Sequence, residues 1–324
     1  MHGALADTEF FSNGSDGRSV IDQILCKDHA SFFNRINIKL FHGITPNIFD
    51  LLKFYDAFLT IIIETEIFMQ KETEKFNTSD IMEGMSSISA VISAIKSEIT
   101  DRKIISIYID KNKKQSKKKE IAFLTHKSKE LGFSLEFIDE SIIAEFTIGN
   151  SHGGIIAFCT PKTIPELSTD NITPNGVYFM LDGVEDPYNF GYSVRSIYAS
   201  GADGIIIPPR NWMGVSGVVA RSSAGTSELI DMRVLNESEA IDVFKSLGYT
   251  VICAGIRDSE SLFDTNLKKP LLVILGGEKR GISREILDKA DKIVRIDYGR
   301  PFNGSLSTAA SVAIFAFEIS RINR

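Results

Sequence analysis

From Val177 onward the sequence repeats one unit: a short apolar run, a loop, then a helical stretch. The runs are VYFML, GIIIP, TVICAG, LLVIL and KIVRI. Helices are expected near 189–200, 216–224, 237–247, 283–290 and 305–321. Strands this apolar, separated by helices, need both faces covered, which means a mostly parallel sheet in an α/β fold. Such sheets place ligands outside the carboxyl ends of their strands. Three loops therefore become candidates for function: those after Leu181, Leu275 and Ile296.

Upstream, the organisation changes. Residues 1–78 read as a mobile start followed by a helical extension, with helix-compatible apolar spacing at Leu51, Phe54, Tyr55, Phe58, Leu59 and Ile62. Thr78 or Asp80 is placed to cap a helix ending near Glu98. Strands are expected at KIISIYI, SLEFI and GIIAFC, with a helix from about Ser116 to Leu131 stopped by Gly132. Residues 79–162 thus read as a small α/β domain. Segment 163–176, within a stretch holding three prolines, reads as a linker, and 177–324 as the larger domain.

The chain of 324 residues is 43% hydrophobic and 24% charged, with a formal charge of −6. Residues 1–80 hold 7 Lys/Arg against 12 Asp/Glu, so most of the acidic excess lies there. That balance argues against a general polyanion binder but leaves local basic patches open. One stands out: KNKKQSKKK, with Lys111, Lys113, Lys114, Lys117, Lys118 and Lys119. Such a run is either a solvated loop or a phosphate-contacting surface. Three cysteines, Cys26, Cys159 and Cys253, are odd in number and lack CxxC spacing. They predict no disulfide framework and a reducing cytoplasm. No metal-ligand spacing is visible. The apolar window FLTIIIETEIF is short and broken by glutamates, so no membrane span is expected.

The three loops carry the chemistry. The first reads DGVEDPYNFGYSVRSIYASG. Asn189 suits a helix N-cap there. Arg195 lies among small and apolar neighbours. Its guanidinium either holds an anion or snorkels to the surface. The second loop, LLVILGGEKRGIS, has Gly276 and Gly277 straight after a strand and Glu278 at the apex. The glycines mark either a tight turn or a close backbone approach to a ligand. The third, IDYGRPFNGSLSTAASVAIFAFE, leads into a helix of small residues. Ser305 and Ser307 sit at its start, as caps or as phosphate contacts.

These loops, together with RSSAG at Arg221 to Gly225 and in this order, resemble the motifs of the SpoU-type (TrmH-like) branch of the SPOUT RNA methyltransferases. The likeness spans roughly Val177 to Arg321. The stretch from IMEGMSSISAVISAIKSE to GNSHGGIIAFCTP resembles that family's substrate-binding domain, itself similar to small RNA-binding ribosomal proteins. Residues 1–75 lie outside the resemblance.

The resemblance implies a C-terminal SPOUT domain with a trefoil knot, working as a homodimer. It implies methyl transfer from S-adenosylmethionine (SAM) to a ribose 2′-hydroxyl of RNA, ribosomal RNA rather than transfer RNA. The SAM adenosine would rest on backbone groups of Ala254, Gly255, Gly276, Gly277, Ile296 and Leu306. Arg195 would bind a phosphate and hold the hydroxyl in line, Asn189 would fix local geometry, Ser305 would add a phosphate contact, and Glu278 would organise the cofactor loop. Two departures stand against the family pattern. Its third motif usually reads Ser-Leu-Asn where this chain has Ser305-Leu306-Ser307, and its usual proline is Asp297 here. The alternative is therefore an inactive RNA-binding or ribosome-assembly factor on the same fold.

Overall fold

A computed structural model of the chain describes residues 80–147, 152–209 and 215–324. The expected extension over 1–78, and Cys26 within it, lie outside the described residues.

The first lobe is built on a four-stranded sheet. In chain order it contains β1 (Asp80–Glu83), α1 (Gly84–Lys96), β2 (Ile104–Asp110), α2 (Lys118–Leu131), β3 (Ser134–Ile138), α3 (Glu140–Phe146) and β4 (Ile155–Cys159). The strand order is β1-β4-β2-β3. β4 runs antiparallel to both β1 and β2, while β2 and β3 are parallel. All five residues of β4 are buried, as a central strand covered on both faces requires. Gly132 ends α2 in the left-handed conformation at φ 79°, so that stop signal works as read. Asp80–Glu83 differs from the reading. It forms a strand, and the helix opens four residues later at Gly84.

The second lobe holds β5 (Val177–Asp182), α4 (Pro187–Ser200), β6 (Gly204–Ile207), α5 (Ser216–Ser222), β7 (Asp231–Val234), α6 (Glu237–Ser246), β8 (Thr250–Ala254), β9 (Glu260–Ser261), β10 (Leu271–Gly276), α7 (Arg284–Lys289), β11 (Lys292–Arg295) and α8 (Thr308–Ile322). Its seven strands lie in the order β7-β6-β5-β10-β8-β11-β9, every neighbouring pair parallel. Strand side chains alternate between faces. Val177, Phe179 and Leu181 of β5, with Leu271, Val273 and Leu275 of β10, pack with Phe190, Val194 and Ile197 of α4 and Val312 and Phe315 of α8. Tyr178 and Met180, with Leu272 and Ile274, pack on the opposite face with Ile241 and Phe244 of α6 and Ile286 of α7. The sheet is thus sandwiched between helices, and its strand ends are left to the loops. Segment 163–176, read as a linker, is pinned to the sheet edge: Leu167 N–H donates to Val234 O, and Val234 N–H to Pro165 O.

The two lobes meet over a seam of charge. Arg102, only 2% exposed, donates to Asp80 at 2.7 Å, Glu228 at 3.2 Å and the Thr160 carbonyl at 2.8 Å. Burial pulls its pKa down, but Glu228 and then Asp80 outweigh it, and the net shift is upward. Above this cluster α5 presses on β1. A Cβ on Gly217 would overlap the Ile81 carbonyl oxygen, and one on Gly225 would come within 2.5 Å of Ala90 Cβ. Ala220 of α5 even belongs to the apolar core of the first lobe.

Candidate active site

Strand β5 ends at Asp182, and Gly183 turns the chain at φ 66°. Asp186 caps α4, its carboxylate accepting from Asn189 N–H at 2.9 Å and Tyr188 N–H at 3.4 Å. Pro187 occupies the first helical position, where no N–H is missed. This corrects the expectation that Asn189 is the cap. Asp186 takes that task, and the Asn189 side chain is released for another. Its Nδ2 donates to Glu278 Oε1 at 2.9 Å, across 89 positions of sequence.

Glu278 stands in the turn after β10. Gly277 N–H donates to the Asp182 carbonyl at 2.7 Å, and Lys279 Nζ meets Glu185 at 2.9 Å. Gly281 N–H closes the turn onto Gly277 O at 3.0 Å. The first two candidate loops are therefore knitted together by backbone, an amide and an ion pair. The glycines also gain a reason. A Cβ on Gly277 would overlap the Gly183 carbonyl oxygen, and one on Gly276 would sit 2.5 Å from the Gly281 carbonyl carbon. The close approach inferred from sequence is made by the chain's own backbone.

The third loop reaches the same place. Thr308, the first residue of α8, donates through Oγ1 to the Gly276 carbonyl at 3.3 Å. Ser307 is the cap of α8, accepting from Ala310 N–H at 3.3 Å. The helix thus starts three residues later than expected, and Ser305 lies in the preceding loop, exposed. Leu306 N–H donates to the Tyr298 hydroxyl at 3.3 Å. Asp297, the departure from the usual proline, accepts from Arg295 Nε at 2.8 Å. A hydrogen bond from Ser261, burial acting against it and then Arg295 set the pKa of Asp297 below the ordinary carboxylate value.

The six backbone positions singled out for a cofactor divide by strand. Gly276 ends β10 and Gly277 follows it, Ala254 ends β8 and Gly255 follows it, and Ile296 follows β11. These three strands are adjacent and parallel, so the positions share one edge of the sheet. Gly255 N–H already donates to Val294 O at 2.9 Å.

Arg195 is exposed and makes no hydrogen bond or ion pair among the described residues. It lies six residues past Asn189, about 9 Å along the helix and a third of a turn round it. Its neighbours Tyr192 and Tyr198 are 48% and 41% exposed. The structure therefore joins Asn189 to Glu278 and leaves Arg195 and Ser305 open to solvent.

The lysine run is partly engaged. Lys111 pairs with Asp139, Lys117 with Glu120 at 3.1 Å, and Lys114 Nζ stands 4.2 Å from the centre of the Phe137 ring. Lys113, Lys118 and Lys119 have no such partner among the described residues. Among those residues no cluster of His, Cys, Asp and Glu is placed to hold a metal ion, and no helix is long and apolar enough to cross a membrane.

Sequence reasoning missed the Glu185–Lys279 pair and Thr308, whose partners lie on other elements, and Tyr298, whose partner Leu306 lies eight residues on in the same loop. It also missed Asp186, for which the signal was present: an acidic cap directly before a proline.

Comparison with known proteins bears directly on this arrangement. Residues 176–317 match the SpoU rRNA Methylase family, and residues 88–165 match the RNA 2′-O ribose methyltransferase substrate binding family. The chain is 25% identical over 252 residues to the 23S rRNA (guanosine-2′-O-)-methyltransferase RlmB of Blochmanniella floridana, covering 75% of this chain and 95% of that one. It is 30% identical over 178 residues to the RlmB of a Burkholderia species, covering 53% of this chain and 72% of the relative. The crystal structure of an rRNA methyltransferase from Sinorhizobium meliloti shares the fold, with a TM-score of 0.60 at 24% identity over 78% of this chain and 89% of that one. The chain belongs to the SpoU rRNA methylase family.

Proposed function

We propose that this protein transfers a methyl group from SAM to a ribose 2′-hydroxyl of ribosomal RNA. The observation that carries the reading is the hydrogen bond from Asn189 to Glu278, which ties the turn after β5 to the turn after β10 at the ligand-binding edge of the sheet. Residues 79–162 serve as the RNA-binding domain and 177–324 as the methyltransferase domain, joined by 163–176. The RlmB relatives supply the substrate class.

The sheet edge fits an adenosine. Ala254, Gly255, Gly276 and Ile296 are all half-buried; the first three present main chain with little or no side chain, and Ile296 packs against the apolar core. Gly277 and Leu306 complete the set. When bound, SAM supplies an electrophilic methyl group on a sulfonium centre. Everything else falls to this chain's residues. A ribose hydroxyl is a weak acid and must lose its proton, here to solvent water, as it attacks. Arg195, permanently charged and unpaired among the described residues, holds the neighbouring phosphate and stabilises negative charge on the attacking oxygen. Ser305 adds a second phosphate contact. Asn189 and Glu278 keep the two turns in register, so that the oxygen is presented in line.

Arg195 lies on a face of α4 with exposed Tyr192 and Tyr198, and Phe317 of α8 is 47% exposed. Such a surface fits a homodimer that brings a second copy against α4 and α8. A trefoil knot fits the strand order. β11 lies beyond β8, yet the next helix, α8, returns to pack with α4 on the far side of β10. A cytoplasmic location follows from ribosomal RNA as substrate.

The test is direct. Purified protein, labelled SAM and unmodified ribosomal RNA are combined, and 2′-O-methylation is mapped by resistance of the modified linkage to alkali. Methylation at a defined nucleotide, lost in Arg195→Ala with SAM affinity kept, is the expected result. RNA binding without SAM binding would instead establish the inactive paralogue that Ser307 raised.

A further inference from the structure

Arg221, the first residue of RSSAG, lies in α5. Two of its guanidinium nitrogens reach different elements. Nη1 donates to Glu83 Oε2 at 2.6 Å, and Nη2 donates to the Tyr188 hydroxyl at 3.0 Å. Glu83 ends β1 of the first lobe and is only 7% exposed. Tyr188 is the second residue of α4 and the immediate neighbour of Asn189. Hydrogen bonds therefore join Glu83 to Arg221 and Arg221 to Tyr188, and the peptide bond to Asn189 carries the link on to Glu278, crossing from one lobe to the turn after β10.

Each link has a physical reason to be stiff. A carboxylate as buried as Glu83 is costly unless a cation meets it, so it fixes Arg221. The guanidinium is planar, and anchoring one nitrogen aims the other. The aromatic ring of Tyr188 is rigid beyond its two torsions, so holding its hydroxyl holds the first turn of α4. The base of the chain cannot slide, because Gly217 abuts the Ile81 carbonyl and Gly225 abuts Ala90.

We infer that Arg221 is a positioning residue: it fixes the first turn of α4, and with it Asn189, against the seat of the RNA-binding lobe. RNA gripped by that lobe is thereby held at a set distance from the methyl-transfer turns. The inference rests on the function proposed above but is separable from it, because the link has its own structural readout.

Five proteins test it: wild type, Arg221→Ala, Arg221→Lys, Tyr188→Phe and Glu83→Gln. Tyr188→Phe removes one hydroxyl from a ring 38% exposed and leaves the fold intact. Hydrogen–deuterium exchange of residues 187–192 and 277–281 is measured first. Faster exchange there in Arg221→Ala and Tyr188→Phe, by roughly tenfold, with the core strands unchanged, is expected. Single-turnover methylation at saturating SAM and RNA is measured second. It should slow by roughly ten- to a hundredfold in Arg221→Ala and Tyr188→Phe, with SAM affinity kept. Arg221→Lys keeps the charge but cannot serve both partners, so it should keep the melting temperature and still lose rate. Glu83→Gln combined with Tyr188→Phe should cost less than the two separate losses multiplied, since both act through one guanidinium.

Unchanged exchange over 187–192 in Tyr188→Phe and Arg221→Lys overturns the inference whatever the activity. So does a wild-type rate in those two variants, or a loss that lies wholly in SAM affinity. A wild type that folds, shows the exchange pattern and methylates no RNA would instead defeat the proposed function and leave the positioning link standing.

Discussion

Around Arg102 the two lobes close over a buried cluster of charges, whereas Arg195 is exposed and its charge is unmatched among the described residues. The same side chain meets opposite conditions. Arg102 is 2% exposed and has its donors committed to Asp80, Glu228 and the Thr160 carbonyl. Arg195 is exposed and commits none among the described residues. A buried guanidinium must be matched by carboxylates, and the burial that demands the match keeps other anions away from it. An exposed one is screened and contributes little to folding, but it keeps its full set of donors for a phosphate. The difference separates the charge that holds the molecule together from the charge that acts.

The largest effect should come from breaking the closed side. Arg102→Ala strands Asp80 and Glu228 in the seam and should lower unfolding free energy by roughly 3–5 kcal/mol. Chemical denaturation measures it. A loss under about 1 kcal/mol would mean the seam behaves as a surface ion pair and the contrast with Arg195 is false. Next in size is the open side. Arg195→Ala should cut methylation by about a hundred- to a thousandfold while the melting temperature stays near wild type. A comparable fall in stability would show that Arg195 is structural too.

That contrast could not be read from sequence, and the reason is distance along the chain. Arg102 meets Glu228 across 126 positions, and Arg221 meets Glu83 across 138. No local pattern announces such pairs. What local pattern governs came through well: the apolar runs of β5, β6, β8, β10 and β11, and the glycine stop of α2, stand where the spacing put them. Asp80–Glu83 did not, because a four-residue strand with two acidic ends is made by antiparallel pairing with β4. Strands β7 and β9 went unseen for the same reason, being short, polar at their ends and held by parallel neighbours. At the site, the convergence of three loops was legible from the rule about strand ends. The sharing of tasks within a loop was not. Asp186 does the capping, which frees Asn189, and Gly277 makes room for Gly183 before any ligand arrives.

A third measurement sharpens the comparison through pH. Cys159 lies beside the Arg102 cluster. Burial is the main cause that pushes its thiol up to about 12, and burial does the same for Cys253. Their folded pKa values exceed the unfolded value near 9, so the stability they lend is complete below pH 9 and is lost as pH rises toward 12. Each thiol should withdraw roughly 1 kcal/mol by pH 10. Replacing both by Ala should flatten the fall in stability between pH 9 and 11. An unaltered pH profile would mean that neither thiol is as shielded from water as its burial implies.

The smallest effects divide the lysine run by the same logic of committed and free charge. Lys111 and Lys117 are paired with Asp139 and Glu120, while Lys118 and Lys119 open α2 without an ion pair among the described residues. Cations at the first turn of a helix oppose its dipole, so folding gains nothing from those two. If they serve RNA, Lys118→Gln and Lys119→Gln should each lower the salt dependence of RNA binding by about one unit of slope. Lys111→Gln and Lys117→Gln should each lower it by less, because an internal carboxylate already competes for the charge. Binding titrations between 50 and 200 mM salt, a range over which phosphate contacts change affinity strongly, resolve the two pairs. Four equal slopes would mean the internal pairs dissolve when RNA arrives, and that commitment within the free protein does not decide which charges work.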